Sequence, residues 1–131
     1  MASFTLIIHG APYSSQAALS ALHFCEAALT AGHRIHRLFF FQDGVHNGSA
    51  LIVPPQDEFH IPRAWQQLIQ QHGIDAVVCA SSALKRGVLS DDEAARYEKA
   101  GGNLLPGFVI GGLGQLIEGI AHSDRLLNFA P

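Results

Sequence analysis

The chain has 131 residues, 48% of them hydrophobic and only 15% charged, with a formal net charge of -3. The length suits one domain that buries a core without disulfides or a structural metal. The eight Lys and Arg residues are scattered, with only Lys85 and Arg86 adjacent, which argues against direct tight nucleic-acid binding. A charge fraction below the typical ~25% leaves little polar surface, so some apolar surface is expected to lie against other subunits. No apolar stretch approaches the ~18 residues of a membrane helix. Residues 1–15 lack a basic region followed by a long apolar run. The expectation is a cytoplasmic protein without membrane contact, whose two cysteines, Cys25 and Cys79, are free thiols.

Phe4 to Ile8 reads as a buried strand ending at Gly10-Ala11-Pro12. A helix is expected from about Ser15 to Ala31, with Ala18, Leu22, Cys25 and Leu29 on one stripe and Gly32 closing it. Ile35 to Phe41 is the next strand, dense in aromatic and aliphatic residues. Residues 42 to 59, punctuated by Asp43-Gly44, Asn47-Gly48 and Pro54-Pro55, read as a long irregular segment of functional or interfacial use. A second helix runs from about Ile61 to His72, with Pro62 in its first turn and Ile61, Trp65, Leu68 and His72 along one side. Asp75 to Cys79 is a short strand, followed by a helical turn over 80–87 closed by Gly87. A helix over Asp91 to Lys99 is capped by Ser90 or Asp91. Phe108 to Ile110 is a strand, Leu113, Leu116, Ile117 and Ile120 have helical spacing, and Leu126 to Phe129 is a final strand.

This alternation predicts one α/β domain over residues 1–131, a three-layer α/β/α unit with a mostly parallel five-stranded sheet. Ligands and chemistry gather at the carboxyl ends of strands in such sheets. That rule selects Gly10 to Gln16, Gln42 to Asn47, Cys79 to Ser82 and Gly111 to Gly114.

Cys79 falls where a strand stops and a helical turn starts, so helix-end N–H groups are placed to stabilise a thiolate, with Lys85 and Arg86 able to add positive potential. A buried structural cysteine is the alternative. Cys25, on an apolar stripe, reads as core. The eight histidines form no HExxH motif and are read as surface or cap residues rather than a metal site. His9 and His46 lie in strand-end loops, and Asp43 belongs either to an Asp-Gly turn or to the thiol site. Gly111-Gly112-Leu113-Gly114 lacks the third glycine of a dinucleotide fingerprint, because position 117 is isoleucine, and reads as close packing.

Four segments carry a family resemblance: GAPYSSQA at 10–17, FFFQDGVHN at 39–47, VCASSALKRGV at 78–88, and DEF at 57–59 with RAWQQL at 63–68. Together, over nearly the whole chain, they resemble the DsrE family and most of all its TusD branch. The resemblance implies a sulfurtransferase that needs no cofactor and carries sulfane sulfur as a persulfide on Cys79. It implies TusB-like and TusC-like sister subunits in a heterohexamer, a TusA-like donor and a TusE-like acceptor. The implied pathway ends in wobble 2-thiouridine of tRNA; a DsrE-type role in dissimilatory sulfur oxidation and a non-catalytic interaction subunit are the alternatives. His46 stands where tyrosine is expected, so the resemblance carries no catalytic part to it.

Overall fold

The computed structural model describes residues 1–131. In chain order it contains β1 (Ser3–Ile8), α1 (Ala17–Thr30), β2 (Arg34–Phe40), a 3-10 segment (Gln42–Gly48), α2 (Ile61–His72) and β3 (Asp75–Cys79). There follow α3 (Ala80–Lys85), α4 (Asp91–Arg96), β4 (Phe108–Gly111), α5 (Leu113–His122) and β5 (Arg125–Phe129). The strands form one sheet in the order β4-β3-β2-β1-β5, with every pairing parallel.

Local chemistry sets the element ends. Helix α2 starts where His60 Nδ1 accepts the Arg63 N–H at 3.1 Å. It stops at Gly73, whose φ of 61° is left-handed. In α4, Ser90 and Glu93 form a reciprocal capping box, each backbone N–H meeting the other side chain at 3.2 Å. That helix ends at Arg96 rather than the expected Lys99, because Glu98 turns left-handed (φ 58°) and the Lys99 N–H returns to the Ala94 carbonyl at 2.8 Å. The segment after β2 is not wholly irregular, since residues 42–48 wind into the 3-10 turn.

Sheet topology decides which face each helix covers. Strands β1 to β4 are laid down in one direction, so right-handed crossovers put their helices on one face. There α1 and α2 pack on Leu6, Ile8, Leu38, Phe40 and Val78 around the buried Trp65. The β4–β5 crossover returns across the sheet, which sends α5 to the opposite face. On that side the core is small: Phe39, Val77 and Cys79, flanked by Ile7, Phe41 and Leu116.

Helix α5 lies close on the sheet. A Cβ on Gly119 would stand 3.1 Å from both Thr5 Oγ1 and Thr5 Cγ2. The Thr5 hydroxyl donates to the Gly119 carbonyl at 3.0 Å. Arg37 on β2 anchors the same helix, donating to Glu118 at 2.8 Å and to the Gln115 carbonyl at 2.7 Å. The apolar stripe of α5 nevertheless splits: Leu116 is partly buried, whereas Leu113, Ile117 and Ile120 face solvent, Ile117 at 65% exposure. Val109 on β4 and Leu126 on β5 are exposed beside them. A single helix cannot cover one whole face of a five-stranded sheet, so helical periodicity here marks a face without marking its burial. His72, placed on the apolar side of α2 by its spacing, is also exposed.

Candidate active site

Cys79 is the last residue of β3 and the N-cap of α3, with extended backbone (φ -62°, ψ 120°). Strand alternation turns its side chain to the α5 face, onto Phe39 and Val77, and only 3% of the residue is exposed. The first N–H groups of a helix have no partner inside it. Burial alone would push the Cys79 thiol up; the N–H groups of Ser82 and Ser81 and both serine hydroxyls outweigh it and bring the thiol below its ordinary value. Ser81 Oγ lies 3.5 Å from the sulfur.

Cys25 is the contrast within the same chain. It is buried in the α1 core without such donors, and burial, reinforced by Glu26, pushes its thiol up to about 12. The two thiols are thereby shifted in opposite directions.

The loop after β2 closes over α3. The Gln42 N–H donates to Ser82 Oγ at 3.0 Å. Arg86 donates from Nε to Asp43 at 2.7 Å and from Nη1 to the Ser82 carbonyl at 3.3 Å. Arg86 holds the Asp43 carboxyl below the usual carboxylate range, so Asp43 is more than a turn residue. Arg86 is engaged with Asp43 and Lys85 is exposed, and the influences that lower the sulfur are the Ser81 and Ser82 donors rather than these two cations. Asn47, fully buried, ties the 3-10 segment to the first loop by donating to the Gly10 carbonyl at 3.0 Å and the Gly44 carbonyl at 2.9 Å.

The other candidate segments fall around this centre unequally. Gly111 is the register partner of Cys79, and the Gly112 N–H donates to Gln115 Oε1 at 2.8 Å. Tyr13 turns away toward α2: its hydroxyl donates to the Phe59 carbonyl at 2.6 Å and accepts the Ile61 N–H at 2.9 Å. The His9 ring meets Phe41 edge-on, with centroids 5.6 Å apart, and Phe41 packs against the Phe39–Val77–Cys79 group. His46 neighbours Asp43 and lowers its carboxyl slightly further. No three His, Cys, Asp or Glu side chains converge as metal ligands. Sequence reasoning missed Ser82, Gln42 and Asn47 as individual site residues. Only the position of Ser82 three residues after an N-cap carries a signal, since that is where a side chain can reach back to the cap.

The fold is a parallel α/β sheet whose strand β3 ends in a buried cysteine with a lowered thiol. The chain belongs to the DsrE/DsrF-like family, whose model matches residues 2–129. It is 53% identical over 118 residues to a sulfurtransferase TusD homolog of Pseudomonas aeruginosa, covering 90% of each chain. A sulfurtransferase TusD of Serratia proteamaculans is 44% identical over 129 residues, 98% of this chain and 100% of that one. A putative sulfurtransferase DsrE of Allochromatium vinosum is 46% identical over 126 residues, 96% of this chain and 97% of that one. The crystal structure of the YchN protein from E. coli superposes with a TM-score of 0.77 at 21% identity, covering 98% of this chain and 100% of that one, and establishes the shared fold.

Proposed function

We propose that this chain is a single-domain sulfurtransferase that accepts sulfane sulfur on Cys79 and hands it to the next protein of a relay. The observation that carries the reading is the buried Cys79 at the end of β3, its thiol lowered and its sulfur 3.5 Å from Ser81 Oγ. The relatives named sulfurtransferase TusD support it over almost the full chain.

The chemistry is thiol exchange and balances without an oxidant. The Cys79 thiolate attacks the outer sulfur of a donor persulfide, forming a new S–S bond. The old S–S bond breaks and the donor cysteine leaves as a thiolate. Cys79 then holds a persulfide, whose terminal anion meets the same N–H and hydroxyl donors. An acceptor thiolate attacks that outer sulfur, and Cys79 is released as a thiolate. No metal or organic cofactor takes part.

In the finer reading, the chain works in the cytoplasm in a heterohexamer with TusB-like and TusC-like sister subunits. A TusA-like protein donates, a TusE-like protein accepts, and the sulfur ends in wobble 2-thiouridine of tRNA. The exposed apolar residues of α5, β4 and β5 support burial between subunits. No helix is long and apolar enough to cross a membrane. The identity to the Allochromatium vinosum DsrE protein supports a second pathway, dissimilatory sulfur oxidation, for the same chemistry.

Intact-mass analysis after incubation with a cysteine desulfurase, its carrier and cysteine tests the proposal. The native chain, Cys25→Ser and Cys79→Ser are compared alone and with sister subunits. One added sulfur that vanishes only in Cys79→Ser is the expected result. No gain in any assembled form, with an active donor, would leave a non-catalytic interaction subunit.

A further inference from the structure

Gly111 on β4 is the register partner of Cys79 on β3. Register partners on adjacent strands present their side chains to the same face, about 4.8 Å apart. A Cβ at position 111 would therefore share the α5 face with the Cys79 side chain, but that space is taken. A Cβ built there meets Val77 Cγ1 at 2.7 Å, Gln115 Nε2 at 2.8 Å and Gln115 Cδ at 3.0 Å. Val77 belongs to the apolar group of Cys79, on which the neighbouring Leu116 of α5 also packs. The carboxamide of Gln115 thus lies over the glycine, one strand away from Cys79.

Gln115 is held at two points. Its backbone carbonyl accepts Arg37 Nη1 at 2.7 Å, and its Oε1 accepts the Gly112 N–H at 2.8 Å. With Oε1 pinned, Nε2 is the end of the carboxamide turned to Gly111. An amide nitrogen carries two N–H donors, and here only the oxygen is spent on the protein. The thiol does not engage these donors: the side chain hydrogen-bonded to the Cys79 sulfur is Ser81, at 3.5 Å. A second sulfur lengthens the Cys79 side chain by an S–S bond of about 2.0 Å, which brings its terminal atom within range of a donor one strand away. Gln115 is exposed, so a sulfur that it binds stays open to an attacking thiol.

We propose that the Gln115 carboxamide receives the cargo: its Nε2–H donates to the terminal sulfur anion of the Cys79 persulfide and leaves the empty thiol alone. The inference rests on the sulfur-carrier reading above and adds the residue that tells the loaded state from the empty one. It also gives the glycine run after β4 a purpose, since a side chain at 111 would displace the carboxamide.

The test is the equilibrium between loaded and empty Cys79 in the full chain, set by inorganic polysulfide and read by intact mass. The native protein, Gln115→Ala and Gln115→Glu are compared, and the added sulfur is assigned to Cys79 by its absence in Cys79→Ser. The Cys79 thiolate attacks a terminal sulfur of the polysulfide, an S–S bond forms to Cys79, the neighbouring S–S bond breaks, and the polysulfide one sulfur shorter leaves with the electron pair. Gln115→Ala is expected to lower the loaded-to-empty ratio about tenfold, the lower end for a hydrogen bond to a charged group. Gln115→Glu keeps an acceptor for the Gly112 N–H but turns a negative charge to the sulfur anion, so its ratio is expected to fall below that of alanine. Iodoacetamide alkylation of the empty thiol is the control, and its rate is expected to stay native in Gln115→Ala. A native ratio in either variant overturns the proposal. If alkylation of the empty thiol changes in Gln115→Ala, because α5 has shifted, glutamate decides: a ratio below that of alanine supports the contact and a ratio at or above it refutes it. A native protein that takes no sulfur from polysulfide also refutes it. A native protein that loads from polysulfide with the Gln115 dependence, yet takes nothing from a cysteine desulfurase and its carrier, removes the relay function and keeps the contact.

Discussion

Gly44→Ala is the sharpest perturbation of the frame that holds the site. A Cβ built on Gly44 lies 1.9 Å from the Ile8 carbonyl oxygen and 2.8 Å from the Ile8 carbonyl carbon. Real Cβ atoms essentially never come within 3.0 Å of such a neighbour. The obstacle is backbone at the end of the interior strand β1, so no rotamer change relieves it, and the 3-10 segment must lift by about 1 Å from a close-packed surface. Overpacking of this kind costs roughly 1–3 kcal/mol, and a rigid backbone clash belongs at the upper end. For a chain of this size that corresponds to a fall in Tm of roughly 8–15 °C. Gln42 opens the same segment, so its N–H is drawn away from Ser82 Oγ, and the apparent pKa of Cys79 rises along with the loss of stability. Differential scanning calorimetry and the alkylation profile of Cys79 read the two effects. A Gly44→Ala protein that melts within about 2 °C of the native one would refute the close approach on which this depends.

Other outcomes follow from the same geometry. Cys25, with its thiol near 12, carries about one thiolate in ten thousand at pH 8, so a short iodoacetamide pulse labels Cys79 and leaves Cys25 unmodified; equal labelling would contradict the burial. Because the folded Cys25 thiol is raised, its contribution to stability is complete below the unfolded value of about 8.5 and is lost as pH climbs toward 12, so Cys25→Ala flattens the alkaline part of a urea-midpoint curve against pH. Ser90→Ala breaks the capping box of α4 and lowers stability by about 1 kcal/mol in urea titration, with Cys79 reactivity unchanged. Ile117→Asp, at an exposed position, leaves the isolated chain within about 0.5 kcal/mol of native stability but prevents co-elution with sister subunits on size exclusion.

Much of the frame was legible because each strand is a short apolar run between turn residues, and each crossover has helical spacing. Cys79 stood out for the same reason: Ala76-Val77-Val78 stops abruptly at a residue that can carry charge. What was not legible depends on contacts between distant segments. Nothing in Gln42-Asp43-Gly44 announces a left-handed glutamine whose N–H reaches a serine forty residues later. Arg86 looked like positive potential beside the thiol, yet its geometry assigns it to Asp43. The stripe Leu113, Ile117, Ile120 has the spacing of a buried face and is open, because periodicity records which residues share a side and not what stands opposite.

The reversed direction of the last crossover has a consequence for how the protein comes into being. Strands β1 to β4 and the helices on the first face are complete when residue 111 has been made. The apolar group around Cys79 is not, because Leu116 comes from α5, and β1 still lacks its neighbour β5. During N-to-C synthesis Cys79 is therefore made before the helix that packs on its apolar group, and the final two elements complete that face of the sheet. A nascent chain stalled before α5 should be a better target for oxidants than the finished protein, which makes completion of the tail the moment at which the thiol becomes selective.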